Sequence, residues 1–295
     1  MKAFILLILS CSHAASGFVS VSAGGGATPP CRVRSVLRGG YDATIGADPN
    51  TPIQFFAFSG KTCPYAQRTH IALLELGIPF DMTEITSMPK PDWYLKINPQ
   101  GKVPALRVPT ADYAVIYESA ICNEFLCDYA TTTQQQSNNN MEHHHTLMPA
   151  SDPFTRAKIR LLNLHCDNVF TKTQFTYLMN KDDGLDEGLC DEMENALQPF
   201  EDSIVQSKGP YLMGGEFTLA DLHLFPFIQR LVVTLKEWKG YELPQDKFPN
   251  LLAWFIKCNE RDSVKESSMT TEKIIEVYQR FVSVDYKFGG LNKNK

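Results

Sequence analysis

The stretch IQFFAFSGKTCPYAQRTHIALLELG, residues 53–77, decides how the rest of the chain is read. Ile53 to Phe58 is a short, aromatic-rich apolar run of the kind that forms a buried strand. From Cys63 to Leu76 the pattern changes: Ala66, Thr69, Leu73 and Leu74 recur on one side at helical spacing until Gly77 ends them. Pro64 suits a first helical position, where its missing N–H costs nothing. Cys63 therefore sits at the start of a helix, facing unpaired amides and the positive end of the helix dipole. Thiols so placed have pKa values of roughly 3.5–7.5 instead of about 8.5. A buried structural cysteine is the alternative, but packing alone does not require strand, cysteine, proline and helix in that order. Lys61 and Arg68 either add positive potential or are solvated surface charges.

Working outward, Phe80 to Ile85 is a second strand, and Pro89 to Lys96 a short helical or irregular stretch. Val103 to Val108 and Ala114 to Tyr117 are short strands about a turn at Pro109-Thr110-Ala111-Asp112, and Ser119 opens a helix carrying Ile121, Cys122, Phe125 and Tyr129. Strand, helix, strand, helix, strand, strand, helix is the thioredoxin-like arrangement, one of several α/β options open to this pattern. Beyond it, residues 131–150 (TTTQQQSNNN, then Met141-Glu142 and His143, His144, His145) have too few apolar residues to bury a core and read as a low-complexity linker. Three adjacent histidines lack the spacing of a closed metal site, so no metal is expected.

From Asp152 onward no strand is expected. Asp152 caps a helix beginning at Pro153, with Ile159, Leu162 and Cys166 on its stripe. Further stripes run through Leu189, Met193, Leu197, Phe200 and Ile204; through Leu219 to Leu235 with Pro226 inside; through Leu251, Leu252, Phe255 and Ile256; and through Ile274, Ile275, Tyr278 and Phe281. Thr218 and Asp221 form a capping box at the start of the third stripe. The expected organisation is a presequence over 1–50, a thioredoxin-like domain over 51–130, the linker over 131–150, an all-helical domain over 151–285 and a tail over 286–295.

The 295 residues suffice for two domains, and 43% hydrophobic with 21% charged residues is an ordinary globular balance. Residues 1–41 hold four basic and no acidic side chains, so the remainder carries 24 basic against 33 acidic, a net of −9. Such a surface repels phosphate backbones and excludes nucleic acid as a partner. No run approaches the roughly 18 apolar residues of a membrane span. Eight scattered cysteines in a chain of this size read as free thiols, not a disulfide framework. Lys2, the apolar run Ala3 to Ser10 and the small residues around Ala14 to Ser16 have a signal-peptide layout. The acid-free, Ser/Ala/Gly-rich segment up to Tyr41 has the composition of a transit peptide. The Ala14-Ala15-Ser16-Gly17-Phe18 junction resembles the bipartite presequences of algae with secondary plastids. A secretory signal followed by a flexible tail is the alternative.

Further features bear on chemistry. Ala66 stands where a dithiol oxidoreductase has its second cysteine, so a mixed disulfide on Cys63 would be resolved by an external thiol. Val103-Pro104 precedes a strand; it is either a cis peptide leaving the Val103 backbone free to pair with an extended ligand, or a trans proline starting an edge strand. Ser119 is an N-cap candidate, or else the helix start receives a ligand carboxylate while Glu118 pairs an ammonium.

Cys63-Pro64-Tyr65-Ala66-Gln67-Arg68-Thr69, Lys90-Pro91-Asp92-Trp93, Asn98-Pro99-Gln100-Gly101-Lys102-Val103-Pro104 and Tyr117-Glu118-Ser119-Ala120-Ile121 together resemble the glutathione transferase superfamily, most closely its cysteine-using omega and lambda classes. Phe225-Pro226-Phe227-Ile228-Gln229-Arg230-Leu231 is similar to the proline-interrupted helix of that family's second domain. The resemblance spans about residues 52–260. It implies that Cys63 forms a mixed disulfide with glutathione, that Tyr65 and Lys90 flank the tripeptide, and that Val103, before a cis Pro104, pairs its cysteinyl backbone. It also implies that Glu118 and Ser119 hold its γ-glutamyl end. The implied function is a glutathione-dependent thiol transferase or reductase, by dehydroascorbate reduction or deglutathionylation, with weak conjugating activity and a homodimer as a family expectation. Two rivals share the motif: a glutathionyl-hydroquinone reductase, supported only by Tyr177, and a ligand carrier or chloride-intracellular-channel-like protein.

Overall fold

The computed structural model describes residues 32–33, 52–109, 114–137 and 146–284. The sheet strands are β1 (Arg32–Val33), β2 (Ile53–Phe58), β3 (Phe80–Ile85), β4 (Ala105–Val108) and β5 (Ala114–Tyr117), in the order β1-β3-β2-β4-β5. β2 pairs parallel with β3, and antiparallel with β4, which pairs antiparallel with β5. Parallel strands need a crossover, and α1 (Pro64–Glu75) supplies it. β1 adds a short parallel pair to β3, Arg32 opposite Asp81 and Val33 opposite Met82, so two residues of the stretch set aside as presequence join the sheet. The rest of residues 1–51, the three histidines and the tail lie outside the described residues.

Residues 66 to 73 of α1 are all buried, polar ones included. A one-sided stripe would leave Gln67, Arg68 and His70 in water. They are covered because α1 lies between the sheet and the helical domain, which the local sequence does not reveal. α2 (Asp92–Ile97) and α3 (Ser119–Ser137) complete the first domain. α3 continues seven residues into the stretch read as linker, and Leu147 and Met148, at its far end, are buried in the core. Leu219 N–H donates to the Leu147 carbonyl at 2.8 Å, so this end of the linker is packed, not solvated.

The second domain has no strand among its described residues, only helices, loops and an isolated bridge between Tyr211 and Gly214. α4 (Pro153–His165) is capped by Asp152 as its sequence demands, and passes through a π-helical turn, Cys166–Phe170, into α5 (Thr171–Met179), which the apolar stripes do not announce. α6 (Asp186–Ser207), α7 (Leu219–Lys239), α8 (Pro249–Asn259), α9 (Asp262–Ser267) and α10 (Thr271–Val282) follow. α7 starts with the Thr218/Asp221 capping box. Asp221 also accepts from Leu212 N–H and Trp254 Nε1, each at 2.8 Å, which makes it a buried structural acceptor. Among the described residues no helix is long and apolar enough to cross a membrane.

Candidate active site

Cys63 occupies the N-cap of α1 in extended conformation, with Pro64 first in the helix. The Ala66 and Tyr65 amides are aimed at its sulfur, and the positive charges of Arg230 and Lys90 act on it; all four lower the thiol pKa. Burial opposes them and outweighs them, so the net shift is upward. This corrects the expectation of a depressed pKa: the amide end of the helix is there, but desolvation of a thiolate at the domain contact is the larger effect. Sγ also lies 3.7 Å from the Val103 carbonyl oxygen, an acceptor that favours the protonated thiol. The cations differ from those expected as well. Arg230 and Lys90 supply the field, whereas Arg68 is fully buried elsewhere and the Lys61 amine donates to the Glu266 carbonyl.

The other expected residues gather around this thiol or behind it. The Lys90 amine donates to the Gly101 carbonyl, and burial lowers its pKa. Val103–Pro104 is cis. Glu118 has a left-handed φ of 67° and its carboxylate lies 3.4 Å from Lys102 Nζ, exposed. The Glu118 carbonyl takes the first helical hydrogen bond of α3, from Cys122 at 2.9 Å. Glu118 is therefore the capping position and Ser119 the first helical residue, one place later than the N-cap expected. Ser119 Oγ accepts from Arg68 Nη1 at 3.3 Å. Tyr65 turns its ring against Phe227 of α7, 5.2 Å between centroids and edge-on, with the Arg68 guanidinium 5.0 Å from it; burial pushes its phenol up to about 12.

The roles of Asp167, His223 and Arg230 were missed in the sequence. Arg68 Nε donates to the His223 carbonyl at 2.8 Å and Nη2 to Asp167 Oδ1 at 2.8 Å, while His223 Nε2 lies 3.1 Å from Asp167 Oδ2. Cys166, Asp167 and His223 thus converge, but the guanidinium stands where a cation would bind, at the carboxylate and 3.5 Å from Cys166 Sγ. Arg230 is the second fully buried guanidinium and Tyr278 of α10 its phenolic neighbour. The signal for Arg230 was a charge inside the apolar run Leu219 to Leu235; nothing local marked Asp167 or His223. Tyr177 packs edge-on against Tyr241, 6.2 Å between centroids, with Lys239 5.5 Å from its ring; among the described residues these contacts do not tie it to the Cys63 thiol. The remaining described cysteines are free, and Cys122, Cys127 and Cys166 are pushed up to about 12 by burial.

A single thiol at a helix start in a mixed-sheet domain, covered by an all-helical second domain, defines a class of two-domain thiol proteins. Residues 62–128 match the family model of the glutathione S-transferase N-terminal domain, and residues 142–262 that of the C-terminal domain. The chain is 30% identical over 229 residues to glutathione S-transferase L1 of Arabidopsis thaliana, covering 75% of this chain and 84% of that one. Over 275 residues it is 26% identical to the same plant's chloroplastic glutathione S-transferase DHAR3, covering 91% and 92%. The crystal structure of glutathione transferase Omega 3C from Trametes versicolor superposes with a TM-score of 0.67 at 28% identity, covering 79% of this chain and 91% of that one. The chain belongs to the glutathione S-transferase family.

Proposed function

We propose that this protein is a glutathione-dependent thiol transferase or reductase in which Cys63 carries a transient mixed disulfide. The observation that carries the reading is the sulfur itself: a lone thiol at a helix start, with two amides and two cations arranged to accept negative charge. Relatives whose names include DHAR, omega-1 and L1 are the background to it. In deglutathionylation, ionised Cys63 attacks the glutathione sulfur of a mixed disulfide; an S–S bond forms to Cys63, and the substrate leaves as its thiolate. A glutathione thiolate then attacks that bound glutathione sulfur, giving glutathione disulfide and restoring the Cys63 thiolate. Two electrons pass from glutathione to substrate. With Ala66 in place of a second cysteine, the external thiol is needed.

Lys90, Tyr65, Val103, Pro104, Glu118 and Ser119 are the proposed glutathione contacts. Because Ser119 Oγ accepts from Arg68, its own proton is available to a carboxylate. The exposed Glu118 carboxylate would exchange Lys102 for the γ-glutamyl ammonium. The Val103 carbonyl would accept the cysteinyl N–H, drawing away the acceptor that now holds the Cys63 proton. Tripeptide binding and thiol ionisation are then coupled, which reconciles a raised thiol pKa with thiolate chemistry. The part of residues 1–50 that precedes β1 is proposed to be a presequence, directed to the plastid as the name of the chloroplastic relative suggests.

The test is intact-mass analysis after oxidised glutathione, comparing wild type with Cys63→Ala. One glutathione adduct is expected on wild type and none on the variant; an adduct persisting on the variant would move the reaction to another cysteine. Assays with hydroxyethyl disulfide, dehydroascorbate and a glutathionyl-hydroquinone then identify the substrate class. Turnover of the first two is expected at least a hundredfold above Cys63→Ala, and turnover of none favours a carrier.

A further inference from the structure

Arg230 is fully buried on α7, yet among the described residues no carboxylate lies within ion-pair distance of it. Nη1 donates to Gln67 Oε1 at 2.7 Å and to the Pro226 carbonyl at 2.8 Å. Nη2 reaches the Lys61 and Thr62 carbonyls, each at 3.5 Å, and the buried Nε has no partner. The acceptors from the first domain bracket Cys63: Lys61 and Thr62 precede it, and Gln67 lies one turn beyond. A guanidinium keeps its charge at any working pH. Buried without a counter-charge, it is costly unless a negative group forms beside it. Carbonyl and amide oxygens, with the neutral Tyr278 phenol, answer its hydrogen bonds but not its charge.

We propose that Arg230 is the counter-ion of the ionised Cys63 sulfur, so that the helical domain, through one side chain, sets how readily the thiol in the other domain loses its proton. This deepens the thiol-transferase reading and rests on it only for what the thiolate is used for. The charge appears when Cys63 ionises, disappears in the neutral mixed disulfide, and returns when glutathione expels the Cys63 thiolate. A counter-ion fixed in place favours that expulsion, because a sulfur that carries charge easily leaves faster. The other titratable groups coupled to this sulfur are Lys90 before α2, Tyr65 on α1, Tyr94 on α2 and Tyr278 on α10. Burial raises all three phenols, so they stay neutral where the thiol titrates, and Lys90 is the one other cation among these groups.

The experiment follows alkylation of Cys63 by iodoacetamide against pH, quantified by mass spectrometry of its peptide, in wild type, Arg230→Met and Arg230→Lys. Removing the charge should raise the titration midpoint by about one unit. The rate below the midpoint should fall only about threefold, because a more basic sulfur is also a better nucleophile. Arg230→Lys, which keeps charge but not the two-armed grip, should lie between. An unchanged midpoint in a folded Arg230→Met overturns the proposal, since a purely structural role would alter stability and leave the midpoint alone. If Arg230→Met does not fold, the side-chain Nε resonance of Arg230 in wild-type protein, assigned by its loss in Arg230→Lys, serves instead. It should shift as Cys63 titrates and stay fixed in Cys63→Ser; a signal that never moves overturns the proposal equally. Neither readout needs turnover, so a shifted midpoint without thiol-transferase activity would sink the functional reading alone.

Discussion

Two guanidiniums are fully buried where the domains meet, and they are solved differently. Arg68 leaves α1 for the helical domain and finds Asp167, the His223 carbonyl and Ser119 Oγ. Arg230 leaves α7 for the first domain and finds only neutral oxygens. The first is a complete ion pair with hydrogen bonds to spare, which is what a structural buried charge needs. The second has no carboxylate partner among the described residues, and its charge acts on the Cys63 sulfur. A buried charge with every partner in place holds a structure together; one left short of an anion marks where an anion is made.

Turning the first node into a copy of the second gives the largest effect. Asp167→Ala strands Arg68 without a carboxylate, and the expected loss is about 3–5 kcal/mol, read by urea unfolding at pH 7.5. Cys63 alkylation in the folded fraction should be unchanged. A loss below about 1 kcal/mol would mean that the pair is no more than a surface contact. Arg230→Met, by contrast, removes a charge that had no partner and leaves its acceptor oxygens short of a donor. Its expected destabilisation is about 1–2 kcal/mol, clearly smaller than that of Asp167→Ala. The reverse order would break the comparison.

The Arg68 node also carries a pH signature. His223 is buried beside Arg68, and burial with that charge lowers its pKa to about 4 despite Asp167. Burial does the same to His70 on α1, which packs against Phe55 and Phe80. A lowered folded pKa means that the unfolded chain takes up a proton the native state refuses. Stability is therefore full above about pH 6.5 and falls between 6.5 and 4, by about 1.4 kcal/mol per pH unit for each histidine at the steepest. Asp167, held well below the usual carboxylate range by His223 and Arg68 despite its burial, adds a further loss only below about pH 4. Urea midpoints at pH 7, 6 and 5 measure this, and His223→Gln should remove about half of the slope between 6 and 5. A flat profile would mean that both imidazoles reach water.

Much of this architecture was legible in the residues because its causes are local. An apolar, aromatic-rich run marks β2, Pro64 and Pro153 sit where helices begin, and Asp152 and Thr218 cap as short polar side chains do. Cys63 was legible for the same reason. What escaped depends on the other domain. The net direction of the thiol shift is a desolvation effect, set by what covers the sulfur. The role of Arg68 is fixed by Asp167, 99 positions away. α5 was hidden because its buried face holds Thr171, Gln174 and Tyr177 beside one aliphatic residue, Leu178, too few apolar positions to show a period. The linker misled because seven of its polar residues simply prolong α3, and Leu147 and Met148 enter the core as a pair too short to show a period.

The finest test asks whether the two nodes are separate at all. They touch consecutive residues of α1: Gln67 serves Arg230, and Arg68 serves Asp167. Their hydrogen-bond partners do not overlap, since Arg68 uses the His223 carbonyl, Ser119, Cys166 and Asp167, whereas Arg230 uses Gln67, Tyr278 and the carbonyls of Lys61, Thr62 and Pro226. A double-mutant cycle of Asp167→Ala with Arg230→Met should then show an interaction energy within about 0.5 kcal/mol of zero. A favourable coupling of 1 kcal/mol or more would mean that the backbone of α1 transmits strain between them, making Arg68 part of what tunes Cys63. The same cycle read by the Cys63 alkylation midpoint separates the two cases without reference to stability: with independent nodes the Arg230→Met shift is the same whether residue 167 is Asp or Ala.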